Sequence, residues 1–297
     1  MSGKHVWTED EESVMKNRGL TRIPEGRCDI FGRVWLAQGD KYPDEVWVVK
    51  SVTKDSLEIK AVQKLSAIAS PKNHTTPTEL LECSDSWIIV MPGLHFLRWE
   101  HFAALDYRVF FRVLRWITEG LEFMHENNVA YMDVSDSNIL ANERPGVIQS
   151  ATSPSATIYY IDFEAARILP AGPGSGIRIN DFFSAGGGKY IPPEGVDALD
   201  PYAYDIYCLG MLYDAIFGFT SERKNAKVRI SQCMFDFADM LRAEDPARRP
   251  SIFRVSRLLR ALRAWVFATK WLYRIGRADY VESFVAFGWR VVSRFVY

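Results

Sequence analysis

Residues Tyr131 to Leu140 and Tyr159 to Glu164 constrain this chain more than any other part of it. In the first stretch, Tyr-Met-Asp-Val-Ser-Asp-Ser-Asn-Ile-Leu, a carboxylate at Asp133 and an amide at Asn138 stand five positions apart. In the second, an apolar run from Ile158 to Ile161 delivers a further carboxylate, Asp162, at its end. That layout suits metal-assisted phosphoryl transfer. One carboxylate accepts or orients the proton of an attacking hydroxyl, while an amide and a second carboxylate hold the divalent cations that bridge the phosphates.

The two stretches resemble the catalytic loop and metal-binding strand end of the eukaryotic protein kinase family, H-R-D-x-x-x-x-N and D-F-G. Here they read Tyr-Met-Asp-x-x-x-x-Asn and Asp-Phe-Glu. The resemblance implies an α+β fold of two lobes, a small β-rich N-lobe over residues 21–94 and a larger helical C-lobe over 95–251. It implies ATP and Mg²⁺ as the small molecules bound, with Asp133 and Lys50 catalytic and Asn138 and Asp162 on the metal. The pairing of Asp-Val-Ser-x-x-Asn-Ile-Leu with Asp-Phe-Glu also looks like a divergent group of protein-kinase-like proteins from fungi.

Upstream, Gly26 to Ala37 resembles a degenerate glycine-rich loop that keeps Phe31, Gly32, Val34 and Ala37. Arg27 and Asp29 stand where the family has two earlier glycines, and Asp29 brings negative charge toward phosphates. Read alone, the block fits an ordinary hairpin with Gly32 at a bend. The run Glu45 to Val52 is rich in β-formers and carries Lys50, which matches the family's phosphate-binding lysine; a lone lysine there otherwise just reaches solvent. On the helix that follows, Val62 and Leu65 share a face with Glu58, the candidate ion-pair partner of Lys50. The same Glu58 fits a capping box with Asp55, and the two roles compete for one carboxylate. Trp87 to Leu94 resembles the family's last N-lobe strand entering the interlobe hinge, and the resemblance would put Met91 behind the nucleotide and Pro92 to Leu94 beside the adenine. A core strand before a Pro-Gly turn is the plainer reading.

Downstream, apolar residues recur at helical spacing from Asp106 to Glu126. His125 at the helix end reads as a capping or packing residue. The segment Asn142 to Thr157, rich in Pro, Gly, Ser and Thr, reads as a surface hairpin or loop. A flexible stretch through Gly186-Gly187-Gly188 to Pro192-Pro193-Glu194 resembles an activation segment. The resemblance pairs Glu194 with Arg249 of Asp-Pro-x-x-Arg-Pro-Ser and has Asp205 brace the catalytic loop, although an aspartate opening an apolar helix also serves as an N-cap. Only Gly218 to Ser231 separates two helices where the family usually has a further one, which leaves recognition of a protein substrate open.

Composition narrows the remaining classes. The 297 residues, 48% hydrophobic and 25% charged, suffice for one large core or two lobes without disulfide or metal. The four cysteines form no CxxC pair, so neither a zinc site nor a disulfide framework is suggested and a reducing compartment is expected. No signal core or membrane-spanning run is found, which points to cytosol or nucleus. A net charge of -1 gives no attraction to nucleic acid, and none is expected as a partner. Residues 1 to 20 are polar and read as a loose or docking segment. Residues 252–297 form a basic, aromatic extension, read as a packed helix with a solvated basic face in preference to a membrane contact.

Lys50, Asp133, Asn138 and Asp162 favour a divergent ATP-dependent protein kinase acting on Ser or Thr. Against this stand Tyr131 and Met132 for His and Arg, Ser135 where Ser/Thr kinases carry lysine, Glu164 for glycine, and Asp29. These favour the rival, a pseudokinase that binds partners as a scaffold. The Ile-Asp-Phe-Glu wording is similar also to small-molecule phosphotransferases, which would not be expected to carry Pro-Pro-Glu and Asp-Pro-x-x-Arg-Pro-Ser.

Overall fold

The computed structural model describes residues 4–40, 44–150, 155–183, 188–275 and 278–296. Gly186 and Gly187 of the expected activation segment, 151–154 of the expected surface loop, and parts of the two terminal segments (1–3, 276, 277 and 297) lie outside the described residues.

The N-terminal segment is not loose. Thr8 caps helix α1 (Glu9–Asn17) and Glu11 completes a capping box, so reciprocal bonds satisfy backbone donors at the helix start. Met15 of α1 is fully buried with Leu20, Val49, Ile88 and Val90 against one face of a sheet. The Thr-x-x-Glu signature at Thr8 to Glu11 was there to be read, and the acidic run around it obscured it.

That sheet is antiparallel throughout, in the order β1-β2-β3-β5-β4. Its strands are β1 (Leu20–Arg27), β2 (Val34–Gly39), β3 (Val46–Thr53), β4 (Glu79–Glu82) and β5 (Ser86–Pro92). Alternation along β3 sends Val49 toward α1, while Val48 and Val52 join the opposite cluster with Met91 and Ile59. Lys50 pairs with Val34 and Ile89 in the middle of the sheet. Helix α2 (Leu57–Ser66), between β3 and β4, inserts Ile59 into the core of the small lobe and Ala61, Val62 and Leu65 into the core of the large one. It therefore couples the two lobes.

A short strand β6 (His95–Phe96) and helix α3 (Trp99–Ala104) lead into the central helix α4 (Tyr107–Glu126), N-capped by Asp106. Its apolar stripe, including Phe110, Leu114, Ile117 and Leu121, is buried. Then come β7 (Val129–Ala130), β8 (Ile139–Ala141), helix α5 (Pro145–Ser150), β9 (Ile158–Tyr160) and β10 (Arg167–Ile168). Strands β6, β8 and β9 form one small sheet and β7 with β10 another, so the catalytic-loop candidates sit between paired strands.

Helices α6 (Pro201–Ser221), α7 (Gln232–Leu241) and α8 (Ile252–Thr269) complete the large core. No helix lies between Ser221 and Gln232. On α8, Leu258, Leu262 and Val266 are buried while Arg257, Arg260 and Arg263 face solvent. The short α9 (Leu272–Ile275) joins it to α10 (Ala278–Val292), which buries Val285 and Trp289 and exposes Tyr280, Phe284 and Phe287 on its other side. Among the described residues no helix is long and apolar enough to cross a membrane.

Candidate functional site

Lys50 is 4% exposed and its Nζ is held at 2.7 Å from Glu58 and 2.8 Å from Asp162. The expected competition for Glu58 does not arise, because the N-cap of α2 is Ser56, not Asp55. The Ser56 hydroxyl accepts from the Glu58 N–H, one residue later than the sequence spacing suggested. This leaves the Glu58 carboxylate to the lysine. Burial alone would lower the Lys50 pKa, but Glu58 and Asp162 outweigh it and hold the ammonium above its ordinary value. A lysine so held is a fixed positive charge facing the interlobe cleft.

Asp162 has φ +58, a left-handed conformation that a non-glycine residue adopts only where its neighbours hold it. They do. The Ile161 N–H donates to the Asn138 carbonyl at 3.1 Å, Phe163 is buried, and the Tyr131 ring packs on Phe163 at 5.3 Å between centroids. The Tyr131 hydroxyl donates to the Ile161 carbonyl. Tyr131 thus ties the candidate catalytic loop to the strand end that carries Asp162.

Asp133 accepts from Asn138 Nδ2 at 2.6 Å and from the Lys189 N–H at 3.2 Å. Burial raises its pKa, against the pull of those two donors. The backbone before it is fixed from below by Asp205, which is fully buried and accepts from the Tyr131 N–H at 2.8 Å and the Met132 N–H at 2.7 Å. Asp205 is not an N-cap: α6 starts at Pro201 and is capped by Asp200. His125 Nε2 lies 2.8 Å from the same Asp205 carboxylate, a structural position. Glu194 and Arg249 form a two-pronged pair at 2.7 and 2.5 Å, and Arg249 also donates to the Ala243 carbonyl.

In the loop between β1 and β2, Gly32 has φ +77 and turns the chain, and the Asp29 carboxylate accepts from the Val34 N–H at 3.0 Å. Asp29 therefore braces the loop instead of only adding charge to it. Val34 and Leu94 are half-buried and Met91 is buried. Three residues not singled out for this site in the sequence enter it. Arg33 meets Glu164 across the cleft at 3.2 Å on both nitrogens, Lys189 sets its ammonium 2.5 Å from Asp136, and the buried Glu11 binds Ser51 and Ser86 behind Lys50. Arg33 lay inside the glycine-loop motif, but its partner is 131 residues away and no local pattern announces it.

The donor set fits Mg²⁺ with a polyphosphate. Asp162 offers hard oxygen donors beside the Lys50 ammonium, and Asn138 spends its Nδ2 on Asp133, which leaves its amide oxygen as the end able to bind a cation.

No protein-family model matches the chain. A Wee1-like protein kinase of Oryza sativa subsp. japonica is 30% identical over 158 residues, a stretch that is 48% of this chain and 26% of that protein. The crystal structure of the Rad53 kinase domain and SCD2 superposes with a TM-score of 0.53 at 17% identity, over 81% of this chain and 87% of that one. The chain has a protein-kinase-like fold, with a five-stranded antiparallel sheet in its N-terminal part and a larger helical C-terminal part.

Proposed function

We propose that the chain binds ATP with Mg²⁺ between its lobes and transfers the γ-phosphoryl group to a Ser or Thr hydroxyl of a protein. The observation that carries this reading is Lys50 held between Glu58 and Asp162, with Asp133 and Asn138 joined to Asp162 through one backbone hydrogen bond. Lys50 would hold the phosphates, and Asp133 would orient the attacking hydroxyl and accept its proton as the new ester bond forms. Asn138 and Asp162 would hold Mg²⁺, which when bound supplies charge neutralisation on the phosphates. Because such catalysis is positioning plus electrostatics, a site already assembled around Lys50 needs little rearrangement on binding.

The second reading is a nucleotide-free scaffold. The Arg33–Glu164 bridge across the cleft favours it. Thermal unfolding with and without Mg²⁺-ATP, repeated on Asp162→Asn, separates the two. A ligand bound to the native state alone stabilises by about 2.7 kcal/mol at a hundredfold excess over its dissociation constant. A Mg²⁺-dependent shift lost in the variant supports the kinase reading. No shift at millimolar nucleotide overturns it and turns the search to protein partners.

A further inference from the structure

We propose that Arg33 and Glu164 form a latch released by nucleotide. The Glu164 carboxylate holds Arg33, and a polyphosphate displaces it and takes Arg33 as its ligand. The inference rests on the nucleotide reading above and assigns a phosphate-binding residue that the motifs do not.

Both ends of the latch are rooted. The Arg33 carbonyl accepts from the Ser51 N–H at 3.0 Å, so the residue is pinned to the strand beside Lys50. The turn before it is clamped, because the Trp7 and Trp35 indoles both donate to the Gly32 carbonyl, at 2.9 and 3.0 Å. The His5 N–H donates to the Phe31 carbonyl at 2.7 Å. At the other end, buried Phe163 fixes the backbone from which Glu164 projects. Between these anchors the guanidinium meets the carboxylate two-pronged, and Glu164 Oε2 also lies 3.7 Å from Lys50 Nζ.

One carboxylate therefore lies against both Arg33 and Lys50. A guanidinium fork fits a phosphate as well as a carboxylate, and a triphosphate brings more negative charge than one glutamate. Carboxyl oxygens of Glu58, Asp162 and Glu164 lie within 4.8 Å of one another, so Glu164 adds repulsion that its departure relieves. The side chains of Arg33 and Glu164 are 33% and 46% exposed, so the exchange strands no buried charge. Arg27 and Asp29 occupy positions where glycines would let backbone amides approach phosphate, and the charged side chain of Arg33, just before β2, can supply the attraction they do not.

The test is nucleotide titration of the full chain and of Arg33→Gln, Glu164→Gln and the double variant, with ATP, ADP and adenosine as probes. Glu164→Gln should bind ATP about two- to fivefold more tightly, the range of a partly exposed ion pair. Arg33→Gln should weaken ATP more than ADP and leave adenosine unchanged. The gain from Glu164→Gln should vanish when Arg33 is already Gln. Should the parent bind ATP while Glu164→Gln binds no better, the latch fails and the nucleotide reading stands. Equal loss of adenosine binding in Arg33→Gln also overturns the latch. If no variant binds any probe, both fall together. If Glu164→Gln alone binds, nucleotide does not displace Glu164 in the parent, and a latch released by nucleotide is overturned.

Discussion

Replacing Asp205 by alanine should be among the most damaging single changes to this protein. The carboxylate is fully buried and is the acceptor for two consecutive backbone N–H groups, of Tyr131 and Met132, at 2.8 and 2.7 Å. It also meets His125 Nε2 at 2.8 Å. Alanine leaves both amides buried without an acceptor, each at about 1–3 kcal/mol. Met132 sits at φ +69, an unfavourable backbone state that these bonds hold in place. Together the loss should be about 3–5 kcal/mol, a large part of the roughly 5–15 kcal/mol by which domains are stable. Urea unfolding followed by circular dichroism measures it, read as a lower midpoint at unchanged slope. Asp205→Asn keeps the shape but turns an amide donor toward one N–H, so it should recover only part of the loss. Asp200→Ala, which removes the cap of the same helix, should cost about 1 kcal/mol. A loss below about 1 kcal/mol for Asp205→Ala would refute the bracing role, since an orphaned pair of buried amides is not that cheap.

Three further outcomes follow from the same geometry. Arg249→Ala should destabilise by about 1–3 kcal/mol, because it removes a buried guanidinium and leaves the Ala243 carbonyl and the exposed Glu194 without it, and Arg249→Lys should recover little of the two-pronged geometry; thermal unfolding checks both. Gly188→Ala should shift or destabilise the segment before Glu194, because a Cβ there would stand 2.1 Å from the Tyr204 hydroxyl and 2.5 Å from the Met132 carbonyl, and limited proteolysis should report it. Burial opposes the Glu11 charge, but bonds from Ser51, Thr8 and Ser86 and the nearby His5 win and lower its pKa from the ordinary carboxylate value. A lowered carboxylate adds stability above its unfolded pKa and loses it as pH falls through the folded value. Glu11→Gln should therefore be less stable than the parent at pH 7, with the gap closing at acid pH; an equal gap at both would count against the reading.

The frame of this fold was legible because its signals are local and periodic. The helix over Asp106 to Glu126, the β-rich run around Lys50 and the apolar helix containing Asp205 each carry their pattern within one window. The Lys50–Glu58 pair was legible as a spacing, although the helix begins one residue later than the capping-box reading placed it. What the sequence concealed is long-range or displaced. Arg33 finds Glu164, Trp7 finds Gly32, and Glu11 finds Ser86 across the sheet, with no spacing rule to connect them. The exposed aromatic side of α10 was likewise hidden, since Phe284 and Trp289 look alike in a sequence until one faces the core and the other does not.

The departures from the kinase motifs acquire a common logic in space. Several have a partner that answers charge or shape. Tyr131 packs on Phe163 and reaches the Ile161 carbonyl, and Asp29 accepts from the Val34 N–H. Ser135 removes a cation from the loop, and Lys189 sets one down beside Asp136, with its own N–H on Asp133. Gly188, which leaves no room for a side chain, allows that close approach. A decaying site would accumulate unpaired changes around its carboxylates, because nothing would select the second member of each pair. Matched pairs around an intact Lys50, Asp133, Asn138 and Asp162 favour a site whose electrostatics are maintained, which is the argument for searching for a substrate before searching for a scaffold partner.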